Sequence, residues 1–427
     1  MHAAVVRTVA RSAATLLLLT FPFLSAVQAA PAGESIKLGL NYPATGRYKE
    51  EGIAQAQGAL MAIEEINAAG GVLGRPLELL TANTASDPAK AVENVKALAK
   101  QGAAMLFGGS SSAVAVEAGK EAARHQLLYF GTLTYANETT VADGHRHMFR
   151  ETYNAHMAAK ALGAYLNERL QGKKFFYMTA DYNWGWSSET SLRNYTGTTD
   201  VNQHPGTLVA YPRPRENDMR NALELAVKAG ADVLMLIQFG DDMALALRTI
   251  HSMGLQDKLT IVVPNLTLAM AKTAGSGILE GVIGAAPWSW QVPYRYGYEQ
   301  GKAFVEKFVR LNATYPTSSA ASAYSIVYQF KDAAERAGSL DTNRLIKALE
   351  GHKYSLLKDE QEWRALDHQN VQSVYVVRSR TREEILQSHL REDFFEILLR
   401  LDGKDAVQTP DEWRAERRAV GAPLTLQ

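Results

Sequence analysis

Cysteine is absent from the 427 residues. That absence removes disulfides, thiolate catalysis, Cys-ligated zinc and iron–sulfur clusters together. Net charge is absent too: 45 Lys and Arg balance 45 Asp and Glu, which argues against a surface built to neutralise nucleic-acid phosphates. No apolar run able to span a membrane follows residue 29. A Walker phosphate loop is missing, because no Lys-Ser or Lys-Thr follows the glycine-serine turn, and so is the Gly-x-Ser-x-Gly elbow of a serine hydrolase. What is present is an ordinary globular composition, 46% hydrophobic, over a length that implies two or three domains.

The N-terminus carries Arg7 and Arg11, an apolar stretch from Ala13 to about Ala26, and small residues at Val27 and Ala29. Pro22 interrupts the stretch, which is short for a membrane span, so residues 1–29 are expected to be a cleaved secretory signal. An uncleaved anchor is the weaker alternative. The mature chain would hold 43 basic against 45 acidic residues and reside in the periplasm, not itself spanning the membrane.

Strands and helices then alternate. Ile36–Leu40, Leu77–Leu80, Ala104–Phe107 and Leu127–Phe130 read as strands, with helices from Ile53, from Asp87-Pro88 and from about Ala113 to His125. The alternation restarts with Lys174–Met178, Leu208–Tyr211, Val233–Ile237, Ile261–Val263 and Val282–Ala285. Helices Tyr298–Leu311 and Ser319–Ala337 follow, then a late strand Val374–Val377. Nearly continuous apolar strands separated by helices predict an α/β fold of two doubly wound parallel-sheet lobes. The charged tail around Asp411–Arg418 is expected to be a solvated, partly helical extension.

Open parallel sheets bind ligands at the carboxyl ends of their strands. There the chain places Gly108-Gly109-Ser110-Ser111-Ser112 at the start of a helix and Gly131-Thr132-Leu133-Thr134-Tyr135-Ala136-Asn137 after the next strand. Small residues, hydroxyls and unpaired helix N–H groups make a cradle for an anion, most naturally a carboxylate. Taken alone, plain capping by Ser111 or Ser112 is the better reading of the first loop. The second set contributes Asp181-Tyr182-Asn183-Trp184-Gly185, Gln238-Phe239-Gly240-Asp241-Asp242 and Pro264-Asn265-Leu266-Thr267. Aromatic groups beside a few polar ones line small-molecule pockets. Each taken singly could be core packing; five strand ends together point to one cleft.

On these residues the chain resembles a periplasmic binding protein of the leucine/isoleucine/valine type, the receptor of an ABC importer. The resemblance covers nearly all of the mature chain. It is carried by Ala62-Ile63-Glu64-Glu65-Ile66-Asn67-Ala68-Ala69-Gly70-Gly71-Val72-Leu73-Gly74-Arg75-Pro76, the Gly-Ser-Ser-Ser loop, Asp181–Gly185, the helix Ala320–Ala337 and Asp367-His368-Gln369. It implies two lobes, residues 35–150 plus 287–360 and 151–286 plus 361–400, with 401–427 a C-terminal extension. Three crossings would join them, near Phe149–Thr152, near Ala285–Ser289 and between Tyr354 and Gln369. The lobes would close on a ligand by hinge motion.

The resemblance also implies roles. Ser111, beside Ser110, would hold a ligand carboxylate through hydroxyl and backbone, and Thr134 would hold both carboxylate and ammonium, with Thr132 the backbone contact beside it. Tyr182, Trp184 and Phe239 would present aromatic faces. Asn265 stands where amino-acid binders of the family place a glutamate against the ligand ammonium. Either Asp241 or Asp242 takes that role, or the ligand lacks an α-ammonium, which keeps an amide, a urea or an organic acid open beside an amino acid. The expected partners are one small polar molecule and an inner-membrane permease, with no nucleic acid, no cofactor and no metal. A sensor of the same fold, read by a regulatory protein, is the alternative. An enzyme gains no support: His145-x-His147 is the only close histidine pair, is expected in a solvated loop, and no carboxylate pattern completes a site around it.

Overall fold

The computed structural model describes residues 33–427, so the expected signal at 1–29 lies outside the described residues. The first sheet is all parallel, ordered β2-β1-β3-β4-β5, with β1 Ile36–Tyr42, β2 Leu77–Asn83, β3 Ala103–Gly108, β4 Tyr129–Gly131 and β5 Met148–Arg150. Register runs Ile36 against Leu77 and Leu38 against Met105. Helices α1 (Lys49–Ala68), α2 (Pro88–Lys100) and α3 (Ser112–Arg124) connect its strands. Asp87 caps α2 as expected, accepting the Lys90 N–H at 2.9 Å with Pro88 at the first helical position.

The second sheet has seven strands. Parallel β6 (Phe175–Ala180), β7 (Gly206–Val209), β8 (Val233–Ile237), β9 (Thr260–Val263) and β10 (Ile283–Ala286) alternate with α4 (Ala155–Leu166), α5 (Asn183–Thr196), α6 (Glu216–Lys228), α7 (Asp241–Ser252) and α8 (Leu268–Ala274). The other two strands arrive late. A small antiparallel sheet of β11 (Lys353–Tyr354), β12 (Gln361–Trp363) and β13 (Asn370–Val371) precedes β14 (Val374–Ser379) and β15 (Phe395–Leu401). Both β14 and β15 pair antiparallel, giving the order β15-β14-β10-β9-β8-β6-β7. The expected late strand, β14, departs from the parallel expectation by running against β10, and β15 is a strand the sequence did not announce; its Phe-Glu-Ile-Leu-Leu-Arg-Leu run is half-buried, as suits an edge.

The helices Glu299–Asn312 and Ser318–Ala337 return to the first sheet. Contact there is backbone to backbone: a Cβ on Gly58 of α1 would lie 2.1 Å from the Ala320 carbonyl oxygen. Only glycine permits that approach.

The segments that pass between the sheets are tied to one another. Buried Arg150, at the end of β5, donates from Nε to Gln369 Oε1 at 2.6 Å and from Nη2 to Thr140 Oγ1 at 2.6 Å. His368 stacks on Phe149 with ring centroids 3.8 Å apart. Lys358 Nζ donates to the Pro287 carbonyl at 2.8 Å and to Gln372 Oε1 at 2.5 Å. Trp288 packs edge-on against Phe304 beneath these segments, and Trp290 stacks on Tyr315 at 3.9 Å.

Two expectations need correction. The tail is helical at Pro410–Ala419 but not solvated, because it is amphipathic. Trp413 is fully buried and donates its indole N–H to the Thr140 carbonyl at 2.9 Å, while Arg417 reaches the carbonyls of Val141 and Gly144. His145 and His147 are half-buried rather than solvated. Burial pushes His145 down to about 4, and His147 bonds through Nδ1 to the Leu127 carbonyl at 3.2 Å.

Candidate functional site

Each sheet has one place where the strand order reverses: between β1 and β3 in the first, between β6 and β8 in the second. Loops leaving such a point diverge and open a crevice. In this molecule the two crevices meet. Tyr48, the N-cap of α1 after β1, packs its ring on Phe239, after β8, with centroids 5.2 Å apart. Beside it Arg47 forms an ion pair with Asp242 at the start of α7. Glu51 of α1 accepts from Thr267, which caps α8. The lobes are closed on each other.

Gly240 makes this approach possible. Its φ is +58°, and an added Cβ would lie 2.7 Å from the Tyr48 ring. A side chain there would collide with the opposite lobe.

The second lobe supplies aromatic surface. Tyr182 stacks on Tyr211 at 3.9 Å and lies 5.9 Å from Trp184, which in turn lies 6.0 Å from Phe239. Tyr135 of the first lobe continues the chain, 6.0 Å from Phe239 and 5.5 Å from Tyr153. Such contacts contribute about 0.5–1.5 kcal/mol each beyond burial. Burial, with Tyr182 and Tyr211 nearby, holds the Tyr48 hydroxyl well above the usual tyrosine range.

The first lobe supplies hydroxyls, most of them already committed. Ser111 caps α3, accepting the Val114 N–H at 3.3 Å, and the Tyr211 hydroxyl reaches it from the other lobe. Ser110 accepts from Thr84 at 3.4 Å. Thr132 donates to Gln55 Oε1 at 2.6 Å, and Thr134 shares a 2.8 Å hydrogen bond with Thr139. Ser111, Tyr182, Trp184, Phe239 and Asp242 therefore converge, whereas the hydroxyls of Ser110, Thr132 and Thr134 point into their own lobe. Asp241 is half-exposed beside them. Asp242 is nearly buried; burial pushes it up to about 7 against the pull of Arg47. Asn265 is fully buried, its Oδ1 accepting from the Tyr153 hydroxyl at 3.0 Å and its amide turned toward the Tyr135 hydroxyl.

Sequence reasoning did not single out Tyr48, Glu51, Gln55, Tyr153 or Tyr211. Tyr211 sits just past β7 and would have been found as a strand-end residue had that strand not been drawn through it. Glu51 and Gln55 carry no signal of their own: they are polar residues on a helix whose apolar periodicity was read elsewhere.

Cavities lie outside this contact. One of about 730 Å³ runs between α5, the loop at Asn137–Ala142 and the C-terminal helix. Another of about 360 Å³ lies between the outer face of α1, α8 and Phe308.

A profile of the family described as periplasmic binding protein matches residues 35–384. The chain belongs to the periplasmic binding protein family. This periplasmic binding protein is 24% identical over 329 residues to the leucine-, isoleucine-, valine-, threonine-, and alanine-binding protein of Pseudomonas aeruginosa, covering 76% of this chain and 84% of that one. It is 22% identical over 355 residues to Leu/Ile/Val-binding protein homolog 4 of Brucella melitensis, covering 80% and 83%. A periplasmic binding protein of Burkholderia mallei shares its fold, with a TM-score of 0.79 at 21% identity over 88% of this chain and 97% of that one. The two-lobed architecture and membership of the periplasmic binding protein family, expected from the sequence, are borne out. Among the described residues no helix is long and apolar enough to cross a membrane.

Proposed function

We propose that this receptor binds a small amino acid with an apolar side chain and hands it to an inner-membrane ABC permease. The observation that carries this reading is the pairing of two unlike surfaces in one closed cleft. Ser111, at the N-terminus of α3, offers a hydroxyl and helix N–H groups suited to a carboxylate. Facing it, Tyr182, Trp184, Tyr211 and Phe239 offer aromatic walls suited to an apolar side chain. The ligands named for the Pseudomonas and Brucella relatives fit that pairing. Export through a signal cleaved near Ala29 places the receptor beside its permease.

Isothermal titration of ligand-stripped protein against amino acids, amides, ureas and small carboxylates tests the proposal. Saturable one-to-one binding of an apolar amino acid, tighter than any amide or urea, is expected. Tightest binding by a urea, an amide or a simple carboxylate would overturn the ligand class. Sequencing the mature N-terminus from a periplasmic extract checks the cleavage position.

A further inference from the structure

Glu51 is 2% exposed, at the boundary between the lobes. Its Oε2 accepts from the Ser319 hydroxyl at 2.5 Å and its Oε1 from the Thr267 hydroxyl. Among the described residues no Lys, Arg or His lies within ion-pair distance of it. Two hydroxyls offset only part of what it costs to take a carboxylate out of water, and burial accordingly pushes Glu51 up. The other acids near the cleft are differently placed. Asp242 is paired with Arg47, and Asp241 faces Arg47, Lys49 and Arg248. Glu151 accepts from Ser322 among the connecting segments, facing Lys358.

The position of Glu51 on α1 is what gives it a role. Tyr48, three residues before it, touches Phe239. Gln55, four residues after it and so on the same helix face, holds the Thr132 hydroxyl and reaches the Gly109 carbonyl at 3.4 Å. Glu51 thus stands between residues that contact the loops after β3, β4 and β8, and its charge is felt at Tyr135. Across the cleft its partner Thr267 lies two residues from Asn265, whose buried side chain carries no charge and turns its amide toward the Tyr135 hydroxyl. A cation entering this cleft finds one carboxylate with no counter-charge, and that carboxylate is reached from both lobes only when they are closed.

We propose that Glu51 is the specificity-determining counter-charge of this receptor, receiving the cationic nitrogen of the ligand. This rests on the amino-acid reading above and assigns the ammonium partner within it.

The test is a comparison of ligands differing only at that nitrogen: L-leucine, L-isoleucine and L-valine against their 2-hydroxy acids, titrated into wild type and Glu51→Gln. Wild type is expected to prefer the amino acids by about 100-fold, the scale of a charge-assisted hydrogen bond. In Glu51→Gln that preference should shrink to about threefold, through weaker amino-acid binding and with the hydroxy acids little changed. Thr267→Val removes a donor but leaves the charge and should keep the preference. Should Glu51→Gln fail to fold, Glu51→Asp is read instead, and its shorter reach must cost the amino acids about fivefold more than the hydroxy acids. Equal losses for both series in the folded variant overturn the assignment and leave the amino-acid reading standing. A wild type that binds neither series overturns both.

Discussion

The two faces of the cleft are built on opposite plans. The first lobe presents small hydroxyl residues on short loops, and most of those hydroxyls are spent holding the loops: Thr132 on Gln55, Thr134 on Thr139, and Ser112 on the N–H groups of Tyr135 and Ala136. The second lobe presents rings that touch one another at 3.9 to 6.0 Å. One face is pre-organised and polar at a single helix N-terminus; the other is apolar and becomes a wall only on closure. On the proposed function, the difference would separate recognition into a hydrogen-bonded half that orients a ligand and an aromatic half that closes over it.

If that separation holds, changes on the two faces should fail differently. Gly240→Val should have the largest effect. Its side chain meets the Tyr48 ring, so the closed state is blocked, and apparent affinity should fall about 100-fold or more, beyond what the local strain of a β-branched residue at φ +58° costs the fold. Titration beside circular dichroism checks it. Phe239→Ala should come next, weakening ligand about tenfold or more because it removes the ring shared by Tyr48, Tyr135 and Trp184. Loss of stability without loss of affinity would place that ring in the core instead of the wall.

Ser111→Ala on the polar face should cost the unliganded protein about 1 kcal/mol as a lost N-cap, and should cost carboxylate ligands more than that. Chemical denaturation and titration separate the two. Unchanged affinity would mean that capping is its whole role.

The smallest effect is expected far from either face, at Lys358. Burial lowers its ammonium from the ordinary 10.5 to about 8, so the unfolded chain holds a proton there that the folded chain has released between those values. Stability contributed by Lys358 should therefore rise as pH rises from about 8 towards 10.5. Relative to Lys358→Met, wild type should gain over that window in urea denaturation. A flat difference would show the buried amine does not titrate there.

Much of this was legible in the sequence because parallel sheets announce themselves. Runs such as Val233–Ile237 are apolar at every residue, and the ligand-side loops follow from where each run ends. Pro88 and Asp87 fixed one helix start to the residue. The α1 start was not legible at Lys49, since its first turn is Lys-Glu-Glu-Gly and buries a carboxylate, Glu51, under Ser319 and Thr267, and a glycine, Gly52, against the Pro43 backbone, rather than an apolar side chain against its own sheet. The late strand β15 was missed because it is a half-buried edge paired only with β14, and the buried face of the tail because its partner, Thr140, lies more than two hundred residues away. Glu51 is the extreme case. A glutamate among glutamates on a helix reads as solvated until tertiary contact from Ser319 and Thr267 shows where it lies.

The central claim, that the lobes close on an amino acid, is tested most directly by small-angle X-ray scattering of ligand-stripped protein. The radius of gyration should fall on saturation with the amino acid that binds, and should not fall in Gly240→Val at the same concentration. An unchanged radius in wild type under conditions where calorimetry shows full occupancy would contradict it.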